Sequence, residues 1–177
     1  PIGLTVLEFA RAAEAAITVL ELNPARRLFV EQNYPGIQVV AALPDEAAFQ
    51  IVFDATGHAG SMAGTLRYAR FTGRIVYVGI TKEPVMIDDP LFHRRELTLL
   101  ASRNAVAADF PRILGMIQSG QIDTRPWISH RCEFGELPGE MESSPGARKV
   151  EEAEARKASV PEHEIEALAA RRFIGTR

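Results

Sequence analysis

The chain has a single cysteine, Cys132, so no internal disulfide can form. A lone thiol suits a reducing compartment, and a cytoplasmic location is the expectation it raises. Neither sign of charge is in large excess, with 20 lysines and arginines against 23 aspartates and glutamates. The net charge of -3 gives nucleic acid or an anionic membrane no electrostatic footing, so neither is expected as a partner. Long apolar runs are missing as well. Those present are strand-sized and broken by charge, so none is expected to span a bilayer. The opening residues carry neither a basic segment nor a long apolar one, so no signal peptide is expected. His58, His93, His130, His163 and Cys132 fall into no C-x-x-C or H-E-x-x-H spacing, so no metal site is expected on this chain. Cys132 itself reads as an inert, buried or semi-buried thiol.

What is there is a regular alternation. Leu4, Leu7 and Ala10 recur at helical spacing, and "AAITVLELN" comes next as a short β-branched run ending at Glu21. Asn23 and Pro24 then read as N-cap and first residue of a helix through "ARRLFVEQN". "GIQVVAA" and "QIVFDATG" are two further strands, and a helix is expected over about 60–69. "GRIVYVGI" and "ELTLLASR" are strands flanking a polar loop over 81–90, and "AADFPRILGMIQSG" is a closing helix. Strands without in-out alternation, separated by helices, predict a parallel sheet covered on both faces, the doubly wound α/β fold. From Glu142 onward the chain turns charge-rich, so a domain over 1–141 and a solvated tail over 142–177 are expected, with a possible short helix over 161–172.

The opening "PIGL" gains meaning in combination with Glu21. A dinucleotide fingerprint, G-x-G-x-x-G, runs from a strand into a helix and has an acidic residue about twenty positions on. Gly3 would be its third glycine, with Pro1 and Ile2 as the two variable positions before it. Glu21 lies eighteen positions after Gly3 at a strand end, where a carboxylate can take hydrogen bonds from ribose hydroxyls. A carboxylate there repels a 2′-phosphate, which favours NAD over NADP. The strand that should feed this turn is not in the sequence. The expected sheet therefore lacks its first, central strand, and the chain reads as part of a larger protein.

"PIGLTVLEFARA", "ITVLELNPARR", "FDATG", "GRIVYVGI", "ELTLLASRNA" and "GQIDTRPWISHR" together resemble the coenzyme domain of zinc-type medium-chain alcohol dehydrogenases. The likeness runs over about residues 1–141 and is greatest to the polyol and sugar-acid branch. It implies NAD as cofactor, a secondary alcohol of a polyol or sugar acid as substrate, and a catalytic zinc held by a separate domain for which nothing here matches. Carried over, Pro1, Ile2 and Gly3 sit at the pyrophosphate, Glu21 at the adenosine ribose and Arg26 beside the adenine. Thr56 and Gly57 close the next crevice, Val78 and Gly79 offer backbone groups to the carboxamide, and Arg103 reaches the pyrophosphate or the far side of the site. The family also implies a possible homo-oligomer through this domain, near the strands of "GRIVYVGI" and "ASRNA".

Plainer readings stand beside these. Arg26 and Arg103 also suit an exposed surface, and Thr56-Gly57 also suits a simple strand-ending turn. "ARKVEEAEARKA" is charged where the family returns through an apolar strand. A non-catalytic NAD-binding domain is the alternative function. A methyltransferase, which shares a glycine turn and an acidic strand end, fits the strand series less well.

Overall fold

The computed structural model describes residues 2–45, 48–128 and 131–139. Ten helices and strands succeed one another in it: α1 (Ile2–Ala12), β1 (Thr18–Leu20), α2 (Pro24–Asn33), β2 (Gln38–Val40), β3 (Phe49–Asp54), α3 (Ala59–Gly64), β4 (Ala69–Tyr77), α4 (Asp89–Arg94), β5 (Thr98–Ala101) and α5 (Asp109–Gln118). The chain divides into two compact units, Pro1–Trp127 and Ile128–Arg177. The expected boundary at 141 and the expected helix over 161–172 lie outside the described residues.

In the first unit every strand pair is parallel. β1 pairs with β2, from Thr18 opposite Gln38 to Leu20 opposite Val40. β4 lies between β3 and β5 in a separate three-stranded sheet. No ladder joins β1 to β3 among the described residues. Each sheet has its own core. Leu7 of α1 packs with Val30 of α2 and with Tyr34 at that helix's C-terminal end, and Val19 and Val39 press on them from β1 and β2. Leu66, Ala69, Ile75 and Leu97 form the second core beneath β3, β4 and β5. Leu66 and Ile75 are fully enclosed, so truncating either to alanine would cost about 2–5 kcal/mol.

Local chemistry explains most element ends. Asn23 caps α2, its Oδ1 accepting from Ala25 N (2.9 Å) and Arg26 N (3.2 Å), and Pro24 gives up no hydrogen bond in the first turn. α1 stops where Glu14 takes a φ of 55°. At the far end of this unit Trp127 ties back, its Nε1 donating to Tyr34 Oη at 2.7 Å.

Four expectations need correction. The helix over 60–69 ends at Gly64 and tightens into a 3-10 turn, Thr65–Tyr68, because Ala69 is already drawn into the sheet opposite Phe49. The loop expected over 81–90 ends two residues earlier, at Asp88, whose Oδ1 caps α4 by accepting from Leu91 N at 3.1 Å. The three-stranded sheet is not covered on both faces: Ile51, Phe53 and Leu100 remain 43–47% exposed on the face away from its core. In the second unit Cys132 is exposed rather than buried, just before a 3-10 turn, Phe134–Glu136.

Candidate functional site

Within each sheet the parallel strands end on one side, and the candidate residues follow those strand ends. Asp54 closes β3 with its side chain buried, and three donors satisfy it. Oδ1 accepts from Thr56 N (2.9 Å) and Thr56 Oγ1 (2.7 Å), while Oδ2 accepts from Ser61 Oγ (2.7 Å). The Asp54 backbone carbonyl accepts from both Val78 N and Gly79 N at 2.9 Å. One residue thus fixes the loop after β3 and the loop after β4. Burial of a carboxylate is tolerable only with such pairing.

The two loops then touch through their backbones. Gly57 has a φ of 66°, and a β-carbon on it would lie 2.8 Å from the Ile80 carbonyl oxygen. A β-carbon on Gly79 would overlap the Gly57 nitrogen. Thr56, Gly57, Val78 and Gly79 are therefore one constellation. Gly3 joins it at the first turn of α1, where a β-carbon would meet Ala55 Cβ at 3.8 Å. That is ordinary contact, so a β-carbon at this position would fit against Ala55. Ile2, beside it, is half exposed, and Pro1 lies outside the described residues.

A second group stands at the end of β1. Glu21 Oε1 accepts from Asn23 N at 2.8 Å, and Oε2 lies 3.8 Å from Arg26 Nη1. Arg26 is three-quarters exposed, and the neighbouring Leu22 is 77% exposed. Arg27 is no surface cation: its Nη1 donates to the carbonyls of Glu21 (2.9 Å) and Leu22 (2.8 Å), which sets the turn. Arg103 comes just after β5, where Ser102 N donates to the Tyr77 carbonyl at 2.9 Å. Its side chain is exposed and pairs with no carboxylate among the described residues.

Asp54, Ser61 and Leu22 are residues that motif reading passed over. An aspartate two before a threonine and seven before a serine, at a strand end, is the signal of such a carboxylate-anchored turn. Tyr77 lies beneath this group, its Oη donating to the Met62 carbonyl at 2.8 Å. Burial raises its phenol pKa; a Thr65 hydrogen bond partly offsets that, and the nearby Asp54 charge adds to the rise. Among the described residues no three His, Cys, Asp or Glu side chains gather as metal ligands do. These residues do not fit a zinc ion.

The family model described as Zinc-binding dehydrogenase matches residues 1–119. L-galactonate-5-dehydrogenase of Escherichia coli K12 is 32% identical over 148 residues, 77% of this chain and 43% of that enzyme. 2-dehydro-3-deoxy-L-galactonate 5-dehydrogenase of Pseudoalteromonas atlantica is 32% identical over 164 residues, 85% and 48% of the two chains. The chain thus spans about half the length of the curated relatives it matches. An E. coli alcohol dehydrogenase solved with NADH superposes with a TM-score of 0.69 at 19% identity, over 83% of this chain and 47% of that one. That likeness fixes the fold.

Proposed function

The chain belongs to the zinc-binding dehydrogenase family, and from that premise we propose that it is the coenzyme-binding part of an NAD-dependent alcohol dehydrogenase acting on a polyol or sugar acid. One observation carries the reading. The loops after β3 and β4, with the first turn of α1 beside them, meet at the carboxyl end of parallel strands, where open α/β sheets bind nucleotides. In this reading the helix start at Ile2 and Gly3 takes the pyrophosphate. Glu21 holds the ribose, and Arg26 and Leu22 flank the adenine. The backbone of Thr56, Gly57, Val78 and Gly79 meets the nicotinamide end, and Arg103 reaches the pyrophosphate. Bound there, nicotinamide supplies the acceptor for a hydride leaving a secondary alcohol. This chain's own residues bind and orient it. A cytoplasmic setting suits the unpaired thiol of Cys132, and the exposed outer edge of β5 suits pairing with a second copy.

NADH fluorescence titration of the chain tests this. Saturable binding, with NADPH weaker by about tenfold or more, is expected; no saturable binding overturns the reading. Saturable NAD reduction with galactonate by this chain alone would overturn the narrower claim that it only holds the coenzyme.

A further inference from the structure

Far from this crevice, at the start of β3 and β4, their ladder jumps. Phe49 pairs with Ala69, and the next pair is Ile51 with Arg74, so residues 70–73 loop out opposite Gln50 alone. The loop holds an unusual shape. Thr72 is β-branched yet has a φ of 59°. Its N–H donates to the Arg95 carbonyl at 2.7 Å, and a β-carbon on Gly73 would lie 2.7 Å from the Arg70 oxygen. Strain of this kind persists where surroundings hold it, often beside a ligand.

The loop borders an open hollow of about 160 Å³ lined by Gln50, Ile51, Arg70, Thr72 and Arg74, all of them exposed. At about 30 Å³ per water, it admits a small anion with part of its hydration shell. Nearby arginines are already engaged: Arg67 lies 3.7 Å from Asp45, and Arg95 Nη1 donates to the carbonyls of Leu66, Arg67 and Ala69. Arg70 and Arg74 have no such partner among the described residues. We propose that this cavity binds a phosphate group, free or on a small ester. Two guanidinium groups and the Gln50 amide line it, and together they carry more donors than the two oxygens of a carboxylate can accept. Ile51 gives an apolar wall to the body of an ester. The site is separate from the coenzyme crevice by about 13 Å of strand.

Hydrogen-exchange mass spectrometry of the whole chain tests it, with inorganic phosphate, glycerol phosphate or acetate at ionic strength matched by chloride. Phosphate should slow exchange within 49–52 and 70–75, saturably, and R70A and R74A should each weaken that effect about tenfold or more. R70K/R74K, which keeps the charge and the fold, should recover part of it. Protection by both phosphates upholds the site, and stronger protection by the ester assigns the free form a lesser place. No protection, equal protection by acetate, or protection that survives R70A/R74A overturns the proposal.

Discussion

Gly79 and Gly57 lie backbone against backbone, too close for a β-carbon on Gly79 to clear the Gly57 nitrogen. The contact continues the β3–β4 pairing into the two loops, and neither loop can yield freely, because Asp54 holds both. Gly79→Ala should therefore destabilise by about 1–3 kcal/mol through overpacking. It should weaken NADH binding by more than the stability loss alone explains. Thermal melting and NADH titration side by side check this; an unchanged melt would show that the contact relaxes.

Asp54→Ala removes the buried acceptor of three part-buried hydrogen bonds, and a loss of about 2–4 kcal/mol is expected. Asp54→Asn keeps an oxygen for Thr56, and the Ser61 hydroxyl can turn to accept from the new amide. The asparagine variant should lose about 1 kcal/mol, by urea titration. Equal losses in both would mean that the charge, rather than the hydrogen-bond count, is what the site requires.

Asp54 also shows what a sequence does and does not reveal. β1, α2 and β3 were legible because β-branched runs, an Asn-Pro cap and a Thr-Gly turn are local signals. The pairing of Gly57 with Gly79 was not, since it depends on two loops 22 residues apart meeting across a sheet. α4 was hidden by the prolines and charges around it; its cap, Asp88, is a single residue in a polar stretch. The early start of β4 at Ala69 came from a tertiary pairing with Phe49 that overrode helical periodicity.

Glu21 already makes two contacts that orient its carboxylate, to Asn23 N and Arg26. Glu21→Ala should weaken NADH about tenfold, the scale of hydrogen bonds to a charged acceptor. NADPH should lose less or gain, because the repulsion of its 2′-phosphate disappears while Arg26 is released. Comparing the two affinities in wild type and variant measures this. A parallel loss for both cofactors would place Glu21 outside the ribose site.

The phenols of Tyr34 and Tyr77 are both raised above 10, chiefly by burial. A group whose folded pKa is raised gives stability that is full below its unfolded value and is lost as pH climbs through the folded one. Stability should thus fall above about pH 10. Tyr77→Phe removes the ionising group that donates to the Met62 carbonyl. It should cost about 1 kcal/mol at neutral pH and flatten the alkaline decline. Melts from about pH 8 to about pH 11.5, spanning the tyrosine range, read both effects. An alkaline limb unchanged in Tyr77→Phe would assign the loss to other groups.

Among the described residues β4 has a neighbour on each side, whereas β1 and β3 each have one. Amide exchange should track that count. Ile75, Val76 and Tyr77, paired on both sides and backed by the Leu66 core, should exchange slowest. Val19 and Phe53 should exchange faster, although they belong to the same kind of parallel ladder. Open edges with exposed apolar side chains, here Leu20, Ile51 and Phe53, also template association between chains. Light scattering should therefore rise steeply with concentration, and lysine at Ile51 and Phe53 should suppress it. These substitutions change the exposed face and leave the β4 ladder intact, so slow exchange at Ile75 should survive them. If scattering persists in the double lysine variant, association runs through another surface.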